Sequence, residues 1–172
     1  MISLKDRYLA TLWGLHIGDA LWAPFENMNA RQVRSLLQSH GGLKFHRYRN
    51  PWPREDTGRY LPAGRPTDDS DQTADLCHSL LTCNGVDQEH LTKSLQQSVV
   101  HEKSRLWSGK AIGAGRTTRT MLGDDPAARA ATQAKPFASN GSLMRSAALA
   151  LFQGPTPTGY PVPNGTDYHQ VR

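Results

Sequence analysis

The chain has few cysteines, few apolar residues and no long apolar run. Among its 172 residues, Cys77 and Cys83 are the only cysteines, and their spacing fits neither a zinc knuckle nor a redox pair. The apolar fraction of 37% is low for a self-sufficient globular domain, and no run approaches the roughly 20 residues that a membrane span needs. No basic segment followed by an apolar one opens the chain, as in a secretory signal. These absences predict a cytoplasmic protein with reduced thiols and no membrane contact.

Strand-like alternation of apolar and polar residues is also absent, and apolar residues recur at helical spacing instead. The sequence therefore predicts an all-α domain over residues 1–152. We expect the first helix, at about residues 4–23, to bury one apolar face, and residues 43–66 to form a long loop. Further helices are expected at about residues 29–41, 67–84, 87–99, 116–122, 126–135 and 143–152.

The final segment, residues 153–172, differs in composition from the rest of the chain. It contains four prolines, three glycines and almost no aliphatic residues. Such a segment buries too little apolar surface to offset the entropy that is lost on ordering. We expect a disordered tail.

The net charge of +5 conceals an acidic segment between two basic ones. Residues 66–92 contain six acidic residues and no Lys or Arg, whereas residues 31–65 and 93–135 each contain eight basic residues. This pattern suits a cation held by carboxylates beside an anionic substrate, although a mixed solvated surface would give the same pattern. Nucleic-acid binding is the weaker interpretation, because the basic residues are dispersed and no nucleic-acid-reading motif accompanies them.

The most acidic stretch, residues 67–73, holds three carboxylates and three hydroxyls immediately before an apolar helical pattern. Carboxylate and hydroxyl oxygens are ligands that Mg²⁺ prefers. A helix N-terminus also favours carboxylates, because its free N–H groups and the macrodipole stabilise negative charge. On its own the stretch therefore allows two interpretations, a helix cap or part of a metal site.

Two further carboxylates, Asp19 and Glu26, lie near the predicted C-terminus of the first helix. A carboxylate there faces the unfavourable end of the macrodipole, so Asp19 must be exposed, hydrogen-bonded or close to a cation. We favour structural hydrogen bonding for Asp19 and leave the role of Glu26 open.

Two glycine-containing turns precede predicted helices. Gly113 and Gly115 offer unobstructed backbone N–H groups before a helix start, a combination that can bind a phosphate. No Gly-Lys-Ser/Thr follows and no strand context is present, so neither a Walker loop nor a dinucleotide fold is indicated. The alternative to phosphate binding at residues 113–115 is a turn without a ligand. For residues 139–142 the alternative to substrate contact is a helix cap.

Four motifs occur in order along the chain. They are Gly-Asp-Ala-Leu-Trp-Ala-Pro-Phe-Glu at residues 18–26, Thr-Asp-Asp-Ser-Asp-Gln-Thr at 67–73, Ile-Gly-Ala-Gly-Arg-Thr-Thr-Arg at 112–119 and Ser-Asn-Gly-Ser-Leu-Met-Arg at 139–145. Over about residues 4–152 the sequence closely resembles the ADP-ribosylglycohydrolase family, all-α enzymes related to dinitrogenase reductase-activating glycohydrolase. The resemblance implies hydrolysis of the bond between the ribose anomeric carbon and a modified side chain, in an ADP-ribosylated protein or an ADP-ribose-type small molecule.

The resemblance also implies roles for individual residues. The family binds two Mg²⁺ or Mn²⁺ ions, and Thr67, Asp68 and Asp69 match its first group of metal ligands. Glu26 matches the acidic residue that closes the first motif, and Glu26 and Asp69 are the implied proton-relay groups. The implied substrate-binding residues belong to the two glycine-containing turns: Gly113 and Gly115 along the pyrophosphate, and Ser139, Asn140, Gly141 and Ser142 near the substrate.

The sequence departs from the family pattern in two respects. Trp22 stands where members usually carry a small residue, and no acidic motif after Ser142 supplies the remaining metal ligands. The chain therefore resembles a truncated, N-terminal half of the family, whose exposed apolar helix faces are expected to favour self-association. Three hypotheses follow: a hydrolase completed by a second copy or a separate partner, an inactive module that binds ADP-ribose or metal, and a fragment with no site in use.

Overall fold

The computed structural model describes residues 2–51, 60–108, 110–134 and 141–153. Within these ranges the chain is mainly helical, which confirms the predicted all-α class. The helices are α1 (Leu4–Trp22), α2 (Ala30–Ser39), α3 (Asp68–Cys83), α4 (Gln88–Val99), α5 (Arg116–Leu122), α6 (Pro126–Gln133) and α7 (Ser146–Gln153), and a short 3₁₀ turn, Ala23–Phe25, follows α1. Cys77 and Cys83 are free, as predicted.

Local capping explains where several helices begin and end. The Asn29 side chain accepts from the N–H groups of Arg31 and Gln32 and forms a reciprocal capping box at the start of α2. Beyond its end, Gly41 and Gly42 adopt φ values of 69° and 105°, which a side chain would disfavour. Asp87 and Asp125 similarly cap α4 and α6. These boundaries agree with the predicted ones because they depend on residues close together in sequence.

The predicted loop at residues 43–66 contains two short strands that the sequence did not indicate. β1 (Tyr48–Arg49) pairs antiparallel with β2 (Tyr60–Leu61), with Tyr48 opposite Leu61. Two residues per strand are too few to produce an alternating pattern, so the prediction of no strand was wrong here. Tyr48 and Leu61 are buried in a small apolar cluster with Ala23 and Ile112. The pair thereby brings the 3₁₀ turn after α1 next to the glycine-containing turn before α5.

Helix α3 is the most buried helix among the described residues, and it packs against α1, α4 and α7. Leu76 and Leu80 form the second apolar cluster with Ala148 of α7. Helix α7 begins at Ser146, three residues after the predicted start, because residues 141–145 form a turn. The N-terminus of α3 is consequently surrounded by protein on several sides.

The apolar side chains of α1 do not pack as predicted. Trp13 is 63% exposed and Ile17 is 43% exposed, and Leu4 and Leu9 are also exposed. Within α1, all of which is described, Ala20 is the single buried residue. The spacing of apolar residues predicted the helix correctly, but the prediction that it buries one face in this structure was wrong. No described helix combines the length and apolar character that crossing a membrane requires.

Two expectations fall outside the described residues. The predicted tail lies almost entirely in residues 154–172, and Gln153 is the last residue of α7. Ser139 and Asn140, which were predicted to lie near the substrate, also fall outside the described ranges.

Candidate functional site

Asp19, near the C-terminal end of α1, accepts hydrogen bonds from the first turn of α3. Its Oδ2 atom accepts from the backbone N–H of Thr67 at 2.8 Å and from the N–H and hydroxyl of Ser70 at 3.2 and 2.5 Å. Its Oδ1 atom accepts from the Thr67 hydroxyl at 2.7 Å. Thr67 occupies the N-cap position but makes no side-chain cap of its own, so Asp19 caps α3 from another helix. This confirms the predicted hydrogen-bonded role of Asp19.

A cavity of about 240 Å³ lies where α1 and α3 meet. The carboxylates of Asp19, Glu26 and Asp69 contribute to its lining. Glu26 follows the 3₁₀ turn, whereas Asp69 lies in the first turn of α3. The cavity wall also includes apolar residues from α1 and Met144 from the turn before α7. The structure therefore brings Glu26 and Asp69, which are 43 positions apart in sequence, to one cavity.

Asp68, the first residue of α3, packs against the glycine-containing turn. Its Oδ2 atom accepts a hydrogen bond from Nε2 of Gln72 at 2.8 Å. A Cβ atom added to Gly113 would lie 2.7 Å from Oδ1 of Asp68, closer than carbon and oxygen atoms can approach. Burial raises the pKa of Asp68 to about 8, and the neighbouring carboxylates of Asp69, Asp19 and Glu26 add to this rise.

Two further carboxylates of the site, Asp69 and Glu26, have pKa values that are shifted in the same direction. Loss of water contact raises the pKa of Asp69, and Asp19 adds to the rise, while the hydroxyl of Thr67 at 3.3 Å from its Oδ2 opposes it. Loss of water contact, with Asp69 and Asp19, also raises the pKa of Glu26 at the exposed rim of the cavity. Negative charge is therefore disfavoured on Glu26, Asp68 and Asp69.

Asp71 belongs to the same acidic stretch but has its own hydrogen-bond partners. It is buried, and its Oδ1 atom accepts from the Ser104 hydroxyl at 2.7 Å and from the Arg105 N–H at 3.0 Å. One turn further, the fully buried carboxylate of Asp75 pairs with the Arg105 guanidinium and accepts from Ser98. Helical spacing places these two carboxylates toward the loop after α4, where they have a structural role.

The two glycines of the turn before α5 differ in their surroundings. Gly113 has a φ of 92° and touches the start of α3, so both its conformation and its contacts require glycine. Gly115 is the N-cap of α5 with ordinary backbone angles, and an added Cβ would meet nothing within 4 Å. Arg119 donates to the Ala114 carbonyl at 2.9 Å and to Glu102 at 3.0 Å, which fixes the turn.

The turn at residues 141–145 approaches α3 from the other side. The Thr73 hydroxyl lies 3.4 Å from the Met144 carbonyl oxygen. The guanidinium of Arg145 donates to Oε1 of the fully buried Gln72. Ser142 is exposed and Gly141 is half-buried.

Three residues near the site were not predicted from the sequence. Gln72 stands one helical turn after Asp68, a spacing that places the two side chains on one helix face. Arg145 ends the fourth motif, but nothing in the motif indicated its contact with Gln72. Tyr48 is 5% exposed, and burial raises the pKa of its hydroxyl, with Arg65 opposing the rise and Asp19 and Glu26 adding to it. No sequence pattern indicated that Tyr48 lies near these charges.

Comparison with protein families gives one decisive match. The profile of the ADP-ribosylglycohydrolase family matches residues 1–159, which is most of the chain. The chain belongs to the ADP-ribosylglycohydrolase family. Comparison with curated proteins gives no match. Membership places the chain among hydrolases by family, and it agrees with the all-α fold and with the order of the four motifs.

The family resemblance implies metal ions, and the donor chemistry of the acidic stretch suits a hard cation. Asp68, Asp69 and Thr67 offer carboxylate and hydroxyl oxygens, and their mutual repulsion is of the kind that a bound cation relieves. Within the part of the chain that the structure describes, however, no group of three or more His, Cys, Asp or Glu side chains is arranged to hold an ion. The described residues of this ADP-ribosylglycohydrolase chain thus offer oxygen donors that suit a hard cation, but not an arrangement that holds one.

Proposed function

We propose that this chain hydrolyses the bond between the ribose anomeric carbon and a modified side chain in ADP-ribosylated substrates. The reaction takes place in the cavity between α1 and α3. One observation carries the proposal: carboxylates from separate motifs, Glu26 and Asp69, line the same 240 Å³ cavity in a chain of a glycohydrolase family. Paired carboxylates beside a cavity are the groups on which glycoside hydrolysis depends.

The cation side of the proposed site consists of Thr67, Asp68 and Asp69. The Thr67 hydroxyl uses its proton in the bond to Asp19, so its lone pairs remain available to a Mg²⁺ or Mn²⁺ ion. A pair of such ions, when bound, would polarise the ribose oxygens and make a water molecule nucleophilic at neutral pH. The Asp19 oxygens accept hydrogen bonds from the N-terminus of α3, so its proposed role is to orient Thr67.

Glu26 and Asp69 are the proposed proton-transfer groups. Without metal, each has a pKa raised by its surroundings. For Glu26, which is not a proposed metal ligand, the rise brings the carboxyl group closer to the neutral range where acid–base catalysis works best. An oxocarbenium-like transition state needs a proton delivered to the leaving group or taken from the attacking water. The location of both groups on the cavity lining suits that role.

The substrate diphosphate is proposed to lie along the turn at Gly113 and Gly115. The turn leads into the N-terminus of α5, where Gly115 is the N-cap, and backbone N–H groups at such a position favour an anion. Gly141 and Ser142, with Ser139 and Asn140 before them in sequence, are proposed to contact the substrate from the α7 side.

Release of ADP-ribose from a modified peptide tests the proposed hydrolysis. We expect Mg²⁺-dependent release by the 172-residue chain, lowered at least about 100-fold in Asp69→Asn and in Glu26→Gln. Asp124→Asn, at an exposed position after α5, is the matched control and should keep wild-type activity. Absence of metal-dependent release from the folded wild-type chain would refute hydrolysis by this chain alone.

A second candidate function is binding without turnover. It is favoured by the observation that the described carboxylates are not arranged to enclose an ion by themselves, since affinity for a hard cation grows with the number and charge of its oxygen ligands. Calorimetry with free ADP-ribose distinguishes this candidate. Binding in the absence of turnover, weakened by Gly115→Val, would favour the binding module, whereas no heat of binding would argue against it.

A further inference from the structure

Arg145, Gln72 and Asp68 form a continuous chain of hydrogen bonds. The Arg145 guanidinium donates to Oε1 of Gln72, and Nε2 of Gln72 donates to Oδ2 of Asp68 at 2.8 Å. Gln72 is fully buried, so both ends of its amide must find protein partners. The chain connects the turn before α7 with the first turn of α3.

The order of donors and acceptors along this chain follows from the groups at its two ends. A guanidinium can only donate hydrogen bonds, so the amide end that faces it must be the oxygen of Gln72. The NH₂ group of Gln72 must then point at Asp68. An ionised Asp68 can only accept hydrogen bonds, so it favours the same order from the other end. Without Arg145, the Gln72 oxygen would lose its donor, and of the two contacts only that with Asp68 would hold the amide.

The second oxygen of Asp68 is restricted by a different element. The Oδ1 atom packs against Gly113, as the 2.7 Å distance from a hypothetical Cβ shows. One carboxylate oxygen is thus held by Gln72 and the other by the glycine-containing turn. Rotation of the carboxylate out of this orientation would break the hydrogen bond from Gln72 or push Oδ1 into Gly113.

We propose that Arg145 is a positioning residue, which holds the Gln72 amide against Asp68 and thereby restrains the Asp68 carboxylate, a proposed cation ligand. The inference rests on the proposed function insofar as Asp68 binds a cation. It adds that the turn at residues 141–145 and the acidic stretch act as one unit. A change at Arg145 is therefore expected to alter metal affinity through the Gln72 amide that the guanidinium contacts.

The first test is made without metal, by NMR of the Gln72 side-chain NH₂ group in the full chain. We expect protected, well-separated NH₂ resonances in the wild type, loss of protection in Arg145→Met and partial restoration in Arg145→Lys, since lysine can still donate to Oε1. The matched control is Arg129→Met, because Arg129 donates to the Gly123 carbonyl at 3.0 Å in another part of the chain. Unchanged Gln72 resonances in folded Arg145→Met would overturn the proposal.

The second test measures Mn²⁺ affinity from the paramagnetic signal of the free ion. Outer groups that orient metal ligands typically contribute 10- to 100-fold to affinity, so we expect about 10-fold weaker binding in Arg145→Met and in Gln72→Met. The double variant should bind Mn²⁺ no more weakly than either single variant, because the two substitutions remove the same chain of contacts. Additive losses, or wild-type affinity in Arg145→Met, would contradict the proposal.

The two tests also separate this inference from the proposed function. If the wild-type chain binds no Mn²⁺ at all, the metal-dependent hydrolysis is refuted, while the metal-free NMR result still decides the role of Arg145. If the wild type binds Mn²⁺ and Arg145→Met binds it equally well, the hydrolase proposal stands and the positioning role is refuted. Circular dichroism of each variant verifies that it is folded.

Discussion

The carboxylate of Asp19 accepts both the backbone N–H of Thr67, at 2.8 Å, and its hydroxyl, at 2.7 Å. This contact joins α1 to the start of α3 at the position where the candidate metal ligands lie. A carboxylate at a helix N-terminus is stabilised by the N–H groups and the macrodipole. The placement of Asp19 near the C-terminal end of α1 is thus compensated by its contact with the N-terminal end of α3.

Removal of the Asp19 side chain should destabilise the fold. Asp19→Ala leaves the N–H groups of Thr67 and Ser70 without their acceptor, and we expect a loss of about 2–4 kcal/mol in the free energy of unfolding. Urea denaturation measures this loss. Asp124→Ala, which removes an exposed carboxylate, should change the value by less than about 0.5 kcal/mol. Equal effects of the two substitutions would contradict a capping role for Asp19.

Local features of the fold were predictable, because their causes lie within a few residues. Asn29 and Gln32 form a capping box that is visible in the sequence, and the same holds for the caps at Asp87 and Asp125. The contact of Asp19 with Thr67 spans 48 positions. The sequence indicated that Asp19 needs a partner, but only the structure identifies Thr67 and Ser70 as that partner.

The membership of the candidate site stays a prediction, and its internal contacts could not be predicted from the sequence. The four motifs indicated Glu26, Asp68 and Asp69, and the structure brings these carboxylates close together. The link from Asp68 through Gln72 to Arg145 depends on how the turn before α7 packs on α3, which no local pattern encodes. The outcome for Ser139 and Asn140 stays a prediction, since both lie outside the described residues.

Gly113 and Gly115 should respond differently to substitution by alanine. At position 113 the new Cβ would lie 2.7 Å from Oδ1 of Asp68, and the alanine would have to adopt a φ of 92°. We therefore expect the free energy of unfolding to fall by at least about 2 kcal/mol. At Gly115 the backbone angles are ordinary and the space is open, and the expected loss is below about 1 kcal/mol. Thermal and urea denaturation of both variants measure the difference. Comparable losses would show that Gly113 does not contact Asp68 as described.

Asp68→Asn should stabilise the metal-free protein at alkaline pH. The pKa of Asp68 is raised from 3.8 to about 8 by burial and by neighbouring carboxylates, so the folded state favours the protonated form. The contribution of the protonated Asp68 to the free energy of unfolding is complete below pH 4 and is lost as the pH rises through 8. Asparagine stays neutral throughout, and its amide oxygen can accept the hydrogen bond from Gln72.

We therefore expect the free energy of unfolding of Asp68→Asn to exceed that of the wild type by about 1–3 kcal/mol near pH 8, measured with a chelator present. The difference should shrink toward pH 4. Urea denaturation across this pH range measures it, with Asp124→Asn as the control. The same substitution should weaken Mn²⁺ binding, because it removes a proposed ligand charge. Parallel pH profiles for Asp68→Asn and the wild type would contradict the raised pKa.

The exposed apolar face of α1 should promote self-association of the chain. Trp13 and Ile17 project from α1 beside an apolar cavity of about 650 Å³, which Phe45 and Trp107 also line. Exposed apolar patches of this kind favour association, because burying them removes apolar surface from water. We expect sedimentation velocity to detect concentration-dependent association of the wild type, reduced in Trp13→Gln/Ile17→Gln. Leu81→Gln, at an isolated position that is 75% exposed, is the control and should associate like the wild type. A wild type that stays monomeric at high micromolar concentration would refute this prediction.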